Sequence, residues 1–411
     1  MLSPEPPYPL HGGGAFRIAS LLHYLGRFSE PDLILLSESG SPALLPPGLV
    51  RSQNVIALPH HSRDLFSRYL RNASRAIRGV PPLIDRFSGM EPDLERILAG
   101  KRWDLGVVEH FWCAPYVDLL KRYCNRVVLD LHNVESVLHQ QCARNSHANF
   151  ANGFVRAGHR RFAAASRQLE SRLLPQFSLV LTASEEDAAL LRKIAPAARV
   201  LIYPNAYPNA FPLAGPPRPT VKTGNPLVVF SGNFEYHPNI DAVEFLVREI
   251  WPEVRRRHPN LRLRLVGRGD QFIRHLIPSD AAGIEVTGPI EDALGEIVQA
   301  DVVIAPLRIG SGTRLKIIEA WAASRAVIAT PLAAEGLAAR DGENIRLAPD
   351  APSFAAAIGE LLRDPALCQR LGTGGHAAFE SRYSWNAAWK TLDLDAQLTT
   401  ESGLNGYTER T

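Results

Sequence analysis

APLRIGSGTRLKIIEA, residues 305–320, packs a strand end, a glycine loop, two cations and a helix-borne carboxylate into one short stretch. The run DVVIAPL (Asp301 to Leu307) is short, apolar and β-branched, the pattern of a strand buried on both faces of a parallel sheet. RLKIIEAWAA then spaces Leu315, Ile318 and Ala322 along one helix face. Gly310-Ser311-Gly312-Thr313 joins the two. Glycines let the backbone approach a ligand closely, and the first amides of a helix point outward with partial positive charge, so this loop suits a phosphate. Arg314 and Lys316 add full charges. Lys316 and Glu319 share a helix face, so a cation and a carboxylate reach a ligand that is part phosphate and part hydroxylated sugar. A well-capped helix with a surface ion pair would read the same way, and these residues alone leave both open.

Working outward, the same rhythm recurs on both sides. PLVVFSGN (Pro226 to Asn233), LRLRLVGRG (Leu261 to Gly269), IEVTGPI (Ile284 to Ile290), AVIAT (Ala326 to Thr330) and NIRLA (Asn344 to Ala348) read as strands, with a helix from about Asp241 to Arg257. Upstream, strand patterns fall at DLILLSE (Asp32 to Glu38), NVIALP (Asn54 to Pro59), DLGVVEH (Asp104 to His110), RVVLDLHN (Arg126 to Asn133), SLVLTAS (Ser178 to Ser184) and ARVLIYPN (Ala198 to Asn205). Strands alternating with helices imply parallel sheets covered on both faces. At 411 residues the chain exceeds what one core usually serves. The expected fold class is therefore α/β, with two doubly wound Rossmann-like domains facing across a cleft. Residues 1–205 are expected as the first domain, 206–225 as a proline- and glycine-rich linker, 226–382 as the second domain and 399–411 as a polar tail.

The proline-rich opening leads into Gly12-Gly13-Gly14 and then the amphipathic FRIASLLHYLGRF. Such a loop normally follows a strand, and so little precedes it that the first strand is expected to be cut short. Ligands of open α/β sheets bind beyond the carboxyl ends of strands, which places His110 and His132 where they can matter; a structural histidine is the alternative at each. Residues Asp64 to Arg78 set Phe66, Tyr69, Leu70, Ala73 and Ile77 on one side and Arg68, Arg71, Arg75 and Arg78 on another. That basic amphipathic helix fits either an anionic membrane surface or a solvated face packed on a domain.

Composition narrows the classes. Apolar residues make up 45% and charged residues 21%, and the formal charge of +3 implies no nucleic-acid partner. Cys113, Cys124, Cys142 and Cys368 lack CxxC or metal spacing, so structural thiols in a reducing compartment are expected, with no metal site and no cofactor. Neither a spanning apolar run nor a signal peptide is evident. A cytoplasmic location is expected, which the basic helix could extend to the inner face of a membrane. Three glycine pairs fail the dinucleotide fingerprint: Gly267 and Gly269 are followed by Phe272, Gly12 and Gly14 by Arg17, and Gly310 and Gly312 by Leu315. GxxxxGK[ST] and GxSxG are absent. The one DxD, Asp393-Leu394-Asp395, falls in the terminal helix rather than at a strand end.

Taken with their order and spacing, VFSGNFEYHPNIDAVEFLVREIWP, LRLVGRG, VTGPIEDALGEIVQADVVIAPLRIGSGTRLKIIEAWAASRAVIAT, AEGL and YSWNAAW resemble glycosyltransferase family 4 (group 1) of the GT-B fold. PPYPLHGGGAFR and LDLHNVES are similar to that family's glycine loop and acceptor-side strand end. The resemblance implies retaining, metal-independent transfer of a sugar from a nucleotide diphosphate donor to an acceptor hydroxyl, with polysaccharide or lipid-linked acceptors. It also implies a final helix, around 383–398, that returns to the first domain.

Carried over by position, Glu319 matches the second glutamate of the E-x7-E motif, which binds the donor ribose; a carboxylate can accept from two hydroxyls at once. Ser311 stands where the first glutamate belongs, and Asn233 and Pro238 stand where the family has a phosphate-binding arginine and lysine. Arg314 and Lys316 are the expected replacements, because a departing diphosphate needs its charge stabilised. His132 matches the strand-end histidine near the transferred sugar. The expected catalytic set is thus His132, Arg314 and Lys316. The expected donor-binding set is Gly13, Gly14, Gly232, Ser311, Gly312, Thr313 and Glu319, with the glycines contributing amides. The competing readings are a nucleotide-sugar epimerase and a non-catalytic or partner-dependent GT-B protein.

Overall fold

The computed structural model describes residues 1–10, 12–60, 64–145, 150–209, 225–279, 281–290, 293–309, 315–392 and 394. They form two units, Met1–Asn205 with Trp389–Thr411 and Ala206–Ala388. The linker expected at 206–225 lies mostly outside the described residues, as do Asp393, Asp395 and the tail.

The first unit is built on β1 (Leu2–Ser3), β2 (Asp32–Ser37), β3 (Ser52–Ala57), β4 (Trp103–Glu109), β5 (Cys124–Leu131), β6 (Leu179–Thr182) and β7 (Val200–Ile202). Its order is β3-β2-β1-β4-β5-β6-β7, parallel throughout. The two-residue β1 lies in the middle, pairing Leu2 with Ile34 on one side and with Val108 on the other. Val107, Val108 and Val127 to Leu131 are buried, as expected of strands covered on both faces. Strand order reverses between β1 and β4, so the loops leaving those strands open the crevice where doubly wound sheets hold ligands. The loop after β1 leads into α1 (Gly13–Gly26), whose residues Ala15 to Leu22 are all buried. Trp389 donates from Nε1 to the Ser20 carbonyl at 3.1 Å, and the Leu394 amide donates to the Tyr24 hydroxyl at 3.3 Å, so these two residues pack on α1.

The second unit holds β8 (Leu227–Ser231), β9 (Arg262–Val266), β10 (Ile284–Val286), β11 (Val302–Ala305), β12 (Ala326–Ala329) and β13 (Arg346–Leu347). Its order, β10-β9-β8-β11-β12-β13, is also parallel and reverses between β8 and β11. β8, β11 and β12 are buried at every position, so in this unit too the exposed chemistry gathers at strand ends.

The helix α2 (Leu65–Arg78) corrects one expectation. Asp64 caps it by accepting from the Ser67 amide at 2.8 Å, and Gly79 closes it at φ 68°. Arg75, expected on the outward basic side, is buried, and its Nε donates to Asp85 at 2.7 Å. Arg78 donates to the same carboxylate at 2.9 Å. The following short helix, Pro82–Arg86, supplies Asp85, so the guanidinium is covered together with its counter-charge. Leu70 and Ile77, which would be covered if the apolar side of the helix packed on the domain, are 51% and 75% exposed. The side chains of Phe66, Arg68 and Tyr69 lie outside the described residues. No helix among those described is long and apolar enough to cross a membrane. Cys113, Cys124 and Cys368 are free thiols, the first two buried.

Candidate functional site

In the first unit, the switch point collects ionisable groups from three neighbouring elements. β4 ends in Glu109 with His110 next, β5 ends in Asp130 and Leu131 with His132 next, and α1 contributes Arg17. Glu109 and Asp130 are fully buried. Arg17 grips Asp130 through Nε, 3.0 and 2.8 Å from the two carboxylate oxygens, and through a terminal nitrogen at 2.6 Å. Its other terminal nitrogen donates to the Tyr203 carbonyl at 2.6 Å and to Asn205 Oδ1 at 3.0 Å. This pair ties α1, β5 and the segment after β7 together.

His132 Nε2 lies 2.9 Å from Glu109 Oε2 and 3.6 Å from Asp130 Oδ2. The His110 ring packs on His132, with centroids 3.6 Å apart, and stacks on Trp112 at 4.1 Å. His110 adopts φ 61°, a left-handed backbone that costs energy for any residue with a Cβ. Its Nε2 has no hydrogen-bond partner among the described residues and lies 3.5 Å from Glu5 Oε2. A Cβ on Gly14 would fall 2.5 Å from that same carboxylate oxygen and 3.9 Å from His110 Nε2. The start of α1 therefore abuts the histidine pair. Burial, reinforced by Asp130, pushes the Glu109 carboxyl well above the usual carboxylate range. Burial, with His110 and Arg17 nearby, holds His132 well below an ordinary histidine.

Glu109, Asp130 and His132 bring ligand atoms within 4.8 Å of one another, a spacing a metal centre could use. Their chemistry does not suit an ion. Asp130 already accepts three donations from Arg17, so a second cation would have to displace a buried guanidinium.

The second unit gathers its groups where β8 ends and the helix Leu315–Ala322 begins. Lys316 Nζ donates to Asn239 Oδ1 at 2.7 Å and sits 4.3 Å above the Phe230 ring. Asn239 Nδ2 in turn donates to the Asn233 carbonyl at 2.7 Å. A Cβ on Gly232 would press to 3.0 Å from Asn239 Nδ2 and 3.2 Å from Lys316 Nζ, so glycine leaves the space the ammonium fills. The Gly232 amide, expected to face a ligand, instead donates to the Val266 carbonyl at 2.9 Å. The β8–β9 ladder runs on past Ser231 and consumes it. Glu319, on the same helix as Lys316, has its carboxyl raised to about 7 by burial, against the pull of Lys316. Arg308 is held by Asp241 and Glu249 at 2.9 and 3.1 Å and covers Phe245, which is a structural arrangement.

The structure therefore sets Gly14 beside His110, whose ring packs on His132, in one unit and gathers Gly232, Lys316 and Glu319 in the other, with Gly13 beginning α1. Ser311, Gly312, Thr313 and Arg314 lie outside the described residues. The expected site set omits Glu5, Glu109, Asp130, Arg17 and Asn239. A signal for two of them was present: acidic residues inside the apolar runs VVEH and VVLDLH are expensive to bury without partners.

Comparison with known proteins fits this geometry. Residues 225–364, within the second unit, match the family model for group 1 glycosyl transferases. Over 144 residues the chain is 35% identical to phosphatidyl-myo-inositol mannosyltransferase of Mycobacterium tuberculosis (strain CDC 1551 / Oshkosh). That match spans 33% of this chain and 38% of the relative. Among solved structures, sucrose-phosphate synthase from Thermosynechococcus elongatus superposes with a TM-score of 0.70 at 18% identity, covering 98% of this chain and 99% of the other. Anabaena HepE, solved in complex with UDP and glucose, gives 0.58 at 14% identity over 97% and 99%. The fold is GT-B, two Rossmann-like units in one chain.

Proposed function

We propose that this chain is a glycosyltransferase that moves a sugar from a nucleotide diphosphate donor to an acceptor hydroxyl, with retention and without a metal, in glycolipid or polysaccharide assembly. The observation that carries the reading is the Lys316–Asn239–Gly232 cluster beside Glu319, inside the segment that matches the group 1 model. Ionised Glu319 accepts from the two ribose hydroxyls. Lys316, with Arg314 and the Ser311-Gly312-Thr313 loop, holds the diphosphate. Gly232 contributes space for the ammonium rather than an amide. In the first unit, the loop through Gly13 and Gly14 and the His132 ring receive the transferred sugar.

In the reaction the bond from the anomeric carbon to the phosphate oxygen breaks, and its electron pair leaves with the nucleoside diphosphate. The acceptor oxygen bonds to the same face of that carbon, and its proton passes to the departing phosphate. Charge grows on the leaving oxygen, where a fixed ammonium lowers the barrier most.

The nature of the relatives supports the donor and acceptor classes: one acts on phosphatidyl-myo-inositol and another is solved with UDP and glucose. The outward Leu70 and Ile77 on α2, with Arg71 and Arg78 on the same helix, suit a peripheral position on an anionic membrane beside a lipid-borne acceptor. Flotation with anionic vesicles at low salt tests this point, and protein remaining with the soluble fraction refutes it.

A nucleotide-sugar panel read by thermal shift tests the donor. A ligand at 100 times its Kd stabilises by about 2.7 kcal/mol. Release of nucleoside diphosphate only when acceptor is present then establishes transfer. Binding without release under any acceptor tried would instead favour a non-catalytic nucleotide-sugar-binding protein.

A further inference from the structure

We propose that Glu109 is a positioning residue for His132: by occupying Nε2 it keeps a proton on Nδ1, so His132 meets its ligand as a hydrogen-bond donor to a sugar or phosphate oxygen and not as a base. The role of His132 toward a sugar rests on the function proposed above; the tautomer does not.

Geometry assigns the two ring nitrogens. Nε2 is 2.9 Å from Glu109 Oε2, which leaves Nδ1 as the nitrogen for a ligand. The ring is fixed in plane by the stack of His110 on Trp112, with centroid separations of 3.6 and 4.1 Å along the series His132, His110, Trp112. Trp112 is itself anchored, donating from Nε1 to Glu135 at 2.9 Å.

Charge balance then places the proton. Two fully buried carboxylates, Glu109 and Asp130, share the pocket with one guanidinium, and Arg17 spends it on Asp130. Among the described residues, the other titratable groups near the pair are His110 just after β4, Glu5 beyond it, Cys113, Tyr203 and the amino group of Met1, whose field reaches Glu109. An ionised Glu109 beside a neutral ring would have no guanidinium or ammonium in ion-pair contact among the described residues, which is unfavourable in the interior. We therefore place one proton beyond the ring's own on the Glu109–His132 pair. If it sits on Glu109, Oε2–H donates to Nε2 and the neutral ring carries its own proton on Nδ1. If it moves to the ring, both nitrogens carry protons. Nδ1 is protonated in both of these forms; a Glu109 proton turned to Asp130 would instead let Nε2–H donate to Oε2 and leave Nδ1 bare, and the spectrum described below separates the two arrangements. The directions already described, Glu109 raised and His132 lowered, favour the first form. The Glu109 Oε1 atom finds no partner among the described residues, as suits the carbonyl oxygen of a neutral acid better than a carboxylate.

A donor at this position has a chemical consequence. Nδ1–H can hold a hydroxyl oxygen, a ring oxygen or a phosphate oxygen, but it cannot remove a proton from an acceptor. The deprotonation of the acceptor hydroxyl must then fall to the leaving phosphate, consistent with same-face substitution.

The test is a long-range proton–nitrogen correlation spectrum of the full chain labelled with 15N, without any ligand, with His132 assigned from His132→Gln. Wild-type protein at pH 7 is expected to show Nδ1 protonated and Nε2 as the acceptor nitrogen. In Glu109→Leu the Nε2-protonated form is expected to appear and turnover to fall at least tenfold. In Glu109→Gln an amide can again donate to Nε2, restoring the tautomer and part of the turnover relative to the leucine variant. An Nε2-protonated, Nδ1-bare ring in the wild type overturns the proposal, as does an unchanged tautomer in Glu109→Leu. If the leucine variant does not fold, the wild-type spectrum still decides. Absence of transfer with every donor and acceptor would count against the proposed function while leaving the tautomer result standing.

Discussion

Replacing Lys316 with methionine keeps the length and apolar stem of the side chain and removes its charge. The 2.7 Å donation to Asn239, the position 4.3 Å above Phe230 and the field on Glu319 are lost together. A hydrogen bond to a charged group is worth about 1.5–3 kcal/mol, and each tenfold corresponds to about 1.4 kcal/mol, so kcat/KM for the donor should fall roughly 10- to 150-fold. A second effect follows from Glu319. Lys316 is the group that holds its carboxyl down, so the variant should raise it above its present value of about 7. More Glu319 is then protonated at pH 7, and a protonated carboxyl serves the ribose poorly. The assay is nucleoside diphosphate release over a series of donor concentrations, repeated at pH 7 and pH 8.5. Part of the loss should be recovered at the higher pH, where Glu319 ionises again, and the remainder, due to the diphosphate, should not. Binding of the donor's free nucleoside should follow the pH-dependent part alone. A folded variant with kcat/KM within twofold of wild type at both pH values would refute the assignment of Lys316 to the diphosphate.

Glu319 also sets a pH dependence in the wild type. Its native carboxyl binds protons more tightly than the unfolded chain, from 4.5 up to about 7, so its contribution to stability declines as pH rises through that window, while nucleotide affinity increases over the upper part of it. Calorimetric titration should show proton release on binding at pH 6.5, and Glu319→Gln should abolish it. Arg17→Met leaves Asp130 buried without its partner and should cost about 3–5 kcal/mol by denaturant unfolding; adding Asp130→Asn should recover much of that, and strict additivity would argue against the pair. Gly267→Ala places a Cβ 1.9 Å from the Gly232 carbonyl at φ 141°, so strain and overpacking should together destabilise the second unit by about 2–5 kcal/mol; a variant as stable as wild type would contradict the close approach of these two loops.

Both sheets were readable because the information is local. A strand buried on both faces must be a short apolar run, and DVVIA, AVIAT, LVVFS and RVVLDL announce themselves within a few residues. The Lys316–Glu319 neighbourhood was equally local, since three residues along a helix make one face. The Asp64 cap and the Gly79 terminus of α2 are similar.

Other features depend on which chain ends become neighbours, and no window of sequence contains that. Glu109 meets His132 because β4 lies beside β5, and the glycine loop meets His110 because β1 lies beside β4. Arg17 finds Asp130 across 113 positions and Lys316 finds Asn239 across 77. Hydrogen-bond allocation is also tertiary. Gly232 could be recognised as a close-approach glycine, but only the continued pairing with β9 shows that its amide is spent and that its missing side chain is what matters. Arg75 reads as an outward cation by helical spacing, yet Asp85 from the next helix draws it under cover. Periodicity reports which face of an element is apolar; burial of a charge depends on whether another element brings its partner.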